Sequence, residues 1–161
     1  MKTAGFMLAA LLVLAPAAFA EVRTHSGAKV SIDIPKEWKQ KVDGDKLMMI
    51  EPKGDVLVAM RVLDATELKA AAAKVDATVA DLVFDLTWQQ QQQRNVNGLN
   101  AITIDGTGKL KSNGIAVNVM AAIVATPTNK LMLVLVIADS SKLQAHAGEL
   151  KSILSSIGPA K

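Results

Sequence analysis

The stretch GIAVNVMAAIVATPTNKLMLVLVIAD, Gly114 to Asp139, decides the fold. In its first half Ile115, Val117, Val119 and Ile123 share one face of an extended chain, and Ala116, Met120, Ala122 and Val124 share the other. Its second half, Leu131 to Ala138, is apolar at every position. A sheet with one solvated face leaves alternate residues polar, so these strands are expected to be covered on both sides. The TPTN between the halves is a turn signal, as are DGTG (105–108) and SNG (112–114) upstream.

Working towards the N-terminus, Val30, Ile32 and Ile34 alternate with Lys29, Ser31 and Asp33, and Pro35 ends that strand by removing a ladder donor. KEWKQKV reads as a second short extended piece. Tight-turn signals DGD (43–45) and PKGD (52–55) lead into KLMMIEP and VLVAMRVL, the pattern of an antiparallel meander. From Asp64 the period changes. Leu68, Ala71, Ala72, Val75, Val79, Leu82, Val83 and Leu86 fall three or four apart, predicting an amphipathic helix of up to roughly twenty residues. Asp64 and Glu67 are its expected capping pair, with Asp76 available to cap a second segment. A terminal helix is expected after the cap chemistry of Asp139-Ser140-Ser141, with Leu143, Ala147, Leu150, Leu154 and Ile157 on one face and Gly158-Pro159 as its stop. Two amphipathic helices and doubly covered strands predict an α+β domain: a three-layer α/β/α sandwich with a mainly antiparallel central sheet and one helix layer on each face.

Residues 1–20, MKTAGFMLAALLVLAPAAFA, read as a secretory signal peptide with an A-x-A site ending at Ala20, leaving 21–161 as a single exported, soluble domain, periplasmic or secreted. The formal net charge of +3 becomes +2 once Lys2 is removed, and the basic residues are scattered, which argues against nucleic acid as a partner. With no cysteine there is no disulfide framework, thiol catalysis or cysteine-held metal.

VSIDIPKEWK, VLVAMRV, the 114–139 stretch and LKSILSSIG, taken in that order around the helix, resemble the PsbP-like fold group. That group holds the extrinsic PsbP proteins of photosystem II, the Mog family of Ran-binding proteins and exported bacterial proteins of unknown function. The resemblance spans nearly all of 21–161 and consists of packing motifs, so no functional residue is carried over.

Trp38 is expected to plug the corner after the Pro35 turn, with an exposed binding platform as the alternative. Trp88 fits either role. His25 falls in a segment expected to be mobile. His146 and Glu149 offer two ligands to a metal, but carboxylates would have to come from elsewhere, so neither a metal nor a cofactor is expected. No nucleophile elbow occurs. Asp43 and Asp45 read as hairpin residues rather than a calcium loop, and Asp105 to Gly108 lacks the Lys-Ser/Thr of a phosphate cradle. The run Gln89 to Gln93 reads first as a solvated edge strand or frayed helix end, with strand addition to a partner as the alternative, for which the partner surface would be Trp88, Gln90, Gln91, Gln92, Arg94, Lys109 and Lys111. The expected function is that of a non-enzymatic accessory protein making protein–protein contacts in the bacterial envelope, with no membrane span after signal removal. Two alternatives remain open. A carrier of small apolar ligands would show a pocket lined by Met48, Met49, Met60, Met120 or Met132, and a carboxylate-based hydrolase would show two converging acids.

Overall fold

The computed structural model describes residues 20–161, so the expected signal peptide lies outside the described residues but for Ala20. In chain order the first strands are β1 (Ala20–His25), β2 (Val30–Pro35), β3 (Lys39–Asp43), β4 (Lys46–Ile50) and β5 (Val56–Leu63). Helix α1 (Leu68–Ala80) is followed by β6 (Val83–Trp88), β7 (Gln92–Val96), β8 (Leu99–Leu110), β9 (Ala116–Ala125) and β10 (Leu131–Asp139). Helix α2 (Leu143–Ser155) and the two-residue β11 (Gly158–Pro159) complete the chain.

The all-apolar β10 is central. It lies antiparallel between β5 and β9, with Val134 opposite both Met60 and Ala122. The large sheet runs β3-β4-β5-β10-β9-β8-β6, and β7 pairs with the other half of β8's outer edge. Leu131, Leu133, Leu135 and Ile137 point to one face, where they meet Ala71, Val75 and Val79 of α1. Met132, Val134, Val136 and Ala138 point to the other, where Val30, Ile32 and Ile34 of β2 and Leu150 and Ile153 of α2 cover them.

The expected helix layer on each face is therefore corrected. Residues 20–161 are mostly antiparallel strand, with two helices of thirteen residues each. α1 is a lone helix on its face, and on the other face α2 shares the cover with a second sheet of order β1-β2-β11. The apolar side of β2 can face the large sheet only if β2 stands outside that sheet, so the second cover is partly strand.

The predicted helix also ends early, at Ala80, and Val83 to Trp88 are extended. Apolar spacings of three and four fit either element over so short a run, and the β-branched and aromatic residues here favour strand. Asp105 to Gly108 is not a turn but the interior of β8, whose two glycines make room for β6. A Cβ at Gly106 would sit 2.6 Å from Trp88 Cε3, and one at Gly108 2.4 Å from Val83 Cγ1. Val83 and Trp88, five apart, would face opposite ways in a regular strand. The pairing slips between Phe84 and Thr87, with Asp85 at φ 53°, and this bulge turns both residues towards α1.

The predicted caps are used differently. Glu67 is the N-cap residue of α1 without a side-chain bond, and Asp76, inside α1, accepts from Trp88 Nε1. Lys142 precedes α2, also without a side-chain cap. Asp139 instead closes a turn, and the Ser141 hydroxyl and then the Ser141 N–H hold its carboxyl below the usual carboxylate range. The C-terminus of α2 is capped from a distance: Asn97 Nδ2 donates to the carbonyls of Ser155 and Ile157, both at 2.7 Å. Asn97 also holds φ 50°, so Asn97→Ala should lower stability by about 1–2 kcal/mol in a urea titration, although the side chain is exposed.

Candidate functional site

Where β4 turns into β5, Glu51 to Asp55 form a tight loop closed by the Gly54 N–H on the Glu51 carbonyl at 2.8 Å. Gly54 has φ 82°, a conformation that side chains rarely adopt. The loop is tied to the end of β10 by the Asp139 N–H on the Asp55 carbonyl, 2.9 Å. The chain then enters α2 and within a turn presents His146 to that loop. His146 Nε2 lies 3.6 Å from Asp55 Oδ2, and a carboxylate oxygen of Glu51 completes a group of three ligand-type atoms within 4.8 Å of one another.

The other ring nitrogen, Nδ1, lies 3.3 Å from Glu149 Oε2, the i,i+3 neighbour on the same helix face. Glu149 Oε1 in turn accepts from Trp38 Nε1 at 3.1 Å. Trp38 is thus core and connector at once. It is 4% exposed within the β2–α2 cluster, follows the Pro35 turn through its N–H on the Pro35 carbonyl, and anchors the carboxylate that orients His146. The carboxylates that the sequence reading required from elsewhere come from the β4–β5 turn. Glu51 and Asp55 were missed because in sequence they are ordinary polar residues beside a Pro-x-Gly turn. Two acids do converge here, but on an imidazole.

The expected partner residues string out along the outer edge of β8. Trp88 ends β6 opposite Gly106, Gln92 and Arg94 lie in β7 opposite Thr103 and Ala101, Lys109 faces Phe84 of β6, and Lys111 donates its N–H to the Leu82 carbonyl. Gln90 and Gln91 bridge β6 to β7. From Ala101 to Lys109 the edge runs on the order of 27 Å, so these residues make a line rather than a cluster. Trp88 is half-buried under α1, while Gln89 to Asn95 are all exposed. Lys109 pairs with Asp85 at 3.1 Å and lies 5.7 Å from the centre of the Phe84 ring.

His25 is not in a loose segment. It is the buried last residue of β1, its Nδ1 accepts the Ala28 N–H at 3.3 Å, and its Nε2 therefore carries the proton donated to the Asp45 carbonyl. A cavity of about 350 Å³ beside it is lined by Thr24, His25, Val42, Asp45 and Leu47, with no methionine. Met49, Met60 and Met132 are fully buried core, and Met48 and Met120 are partly buried against it. Among the described residues no helix is long and apolar enough to cross a membrane.

No protein-family model and no curated protein matches the chain. Solved structures do. The solution structure of cyanobacterial PsbP (CyanoP) from Synechocystis sp. PCC 6803 superposes with a TM-score of 0.63 at 11% identity, covering 87% of this chain and 92% of its own. The Ran-binding protein Mog1p of Saccharomyces cerevisiae gives a TM-score of 0.57 at 11% identity, covering 90% of this chain and 97% of its own. LpqN, involved in cell envelope biogenesis of Mycobacterium tuberculosis, gives 0.55 at 10% identity, with 89% and 91% covered. At such identities the likeness is one of architecture, and the expected resemblance holds at that level: the chain has the PsbP-like fold.

Proposed function

We propose that this is an exported, non-enzymatic accessory protein that acts by protein–protein contact in the bacterial envelope, and that its partner adds an extended segment at the β6–β7 edge. One observation carries this reading: the seam from Gln89 to Asn95 is exposed throughout, and no described strand pairs with the outer side of β6 or β7. An open edge with adjacent amides binds another backbone by strand addition. Arg94 and Lys111 favour an acidic segment. That similar folds include a Ran-binding protein and a protein of cell envelope biogenesis supports a binding role.

A photo-crosslinking residue placed at Gln91 in cells making the full chain should give one discrete protein adduct. Serine at Gln90 to Gln92 together with Arg94→Glu should abolish it while changing stability by about 1 kcal/mol or less. The same probe at the exposed Gln144 of α2 should give none. Adducts independent of probe position would overturn the docking edge. Intact mass should show cleavage after Ala20, and a membrane-retained product still carrying residues 1–20 would overturn export and cleavage.

A further inference from the structure

We propose that Glu51, Asp55 and His146 form a binding site for a divalent transition cation, with Zn²⁺ the best match to their one imidazole nitrogen and two carboxylate oxygens. The argument starts from the proton on His146. The Glu149 carboxylate can only accept, so in the neutral ring the 3.3 Å contact places the proton on Nδ1 and leaves the Nε2 lone pair facing Asp55. Asp55 and Glu51 are acceptors as well. Three lone-pair donors thus converge within 4.8 Å of one another. A cation satisfies all three at once.

The spacing agrees. Bonds of ~2.1 Å at tetrahedral angles separate ligand atoms by ~3.4 Å. His146 Nε2 and Asp55 Oδ2 are 3.6 Å apart, too far for a good hydrogen bond and close to that edge. Bringing the Glu51 oxygen from within 4.8 Å to the ~3.4 Å edge needs a shift of at most about 1.4 Å.

Glu51 supplies an independent observation. It is 7% exposed, and its Oε2 accepts hydrogen bonds from the N–H groups of Lys53 at 2.9 Å and Asp55 at 3.3 Å. A carboxylate this deeply buried is stabilised by a positive partner. Two carboxylates and one neutral imidazole balance a dication. Glu149 completes the arrangement as the carboxylate behind a metal-bound histidine, and Trp38 holds Glu149 in turn. Three protein ligands leave a coordination position for water or for a carboxylate or imidazole from a second molecule. The set is open, so the ion adds to a fold that forms without it.

Protein stripped with EDTA and titrated with ZnCl₂ should bind one ion per chain at this site in calorimetry, and its melting temperature should rise by roughly 5 °C or more at a hundredfold excess over Kd. CoCl₂ should produce the visible bands of a low-coordinate site. Asp55→Asn and His146→Gln should each weaken Zn²⁺ binding at least tenfold, and Trp38→Phe, which removes only the donor to Glu149, by roughly tenfold. Asp55 is partly exposed, so its asparagine variant keeps the test valid even if the His146 variant folds poorly, and circular dichroism checks each variant. His25→Gln should leave binding unchanged. Two results would overturn the site: no saturable Zn²⁺ binding up to millimolar concentration, or binding that survives both Asp55→Asn and His146→Gln intact.

Discussion

Trp38→Ala should lose about 3–5 kcal/mol, the cost of emptying a buried aromatic site. The indole is 4% exposed and stands in one cluster with Ile32, Ile34, Met49, Leu150 and Ile153, so a cavity left there borders β2, the large sheet and α2 together. Fully buried neighbours cannot collapse into it without moving a strand or a helix. Trp38→Phe separates the two roles of the side chain. It keeps most of the volume and loses the bond to Glu149, which should cost about 1.5–3 kcal/mol because the acceptor is a carboxylate. Urea unfolding of both variants measures the split, and an alanine variant within about 1 kcal/mol of the parent would show the indole to be a surface group after all.

Gly108→Val is expected to cost up to about 3 kcal/mol through overpacking. Even its first carbon would lie 2.4 Å from Val83 Cγ1 and 3.0 Å from the Phe84 carbonyl oxygen. Val83 is 2% exposed beneath α1 and has no flexible end to swing away, and the other neighbour is backbone. The bulge would have to open, releasing Trp88 from Gly106 further along. Gly148 is the control. A Cβ there meets nothing within 4 Å, so Gly148→Ala, in the exposed interior of α2, should gain about 0.5–1 kcal/mol. Comparable losses at both glycines would mean that helix propensity and packing have been wrongly separated.

Both outcomes show where the sequence was legible. Period-two runs at 30–34 and 115–125 and the unbroken apolar run at 131–138 identify strands and the faces they present, and the structure places those residues in two cores accordingly, except at the start of β9, where Ile115 and Ala116 are exposed. Local pattern fails where distant residues decide. Val83 and Leu86 kept helical spacing, but what made them strand was Gly106 and Gly108 across the ladder, which in isolation looked like a turn. The covering layers were misjudged for the same reason, since alternation at 30–34 cannot say which sheet the strand joins. At the site, His146 and Glu149 were visible as a helical pair. Their carboxylate partners were not, because the β4–β5 turn reaches them only through the β10–α2 corner, and the Trp38 to Glu149 contact joins residues 111 positions apart.

That small second sheet also bears on how the chain reaches its native state. β2 lies between its hairpin partner β1 and the last strand, with Ser31 opposite Gly158 and Val30 opposite Pro159, and the Ala160 N–H on the Lys29 carbonyl at 2.9 Å continues the clasp. The first-made and last-made parts of the domain close on each other, a loop with a large entropic cost of formation, and folds dominated by such distant pairings form slowly. A chain emerging from its N-terminus can assemble the hairpins of the large sheet as they appear. It cannot complete the cover over β2 until α2 and β11 have been made, so a chain interrupted before them leaves Val30, Ile32 and Ile34 without their finished cover and open to aggregation or to capture by a chaperone.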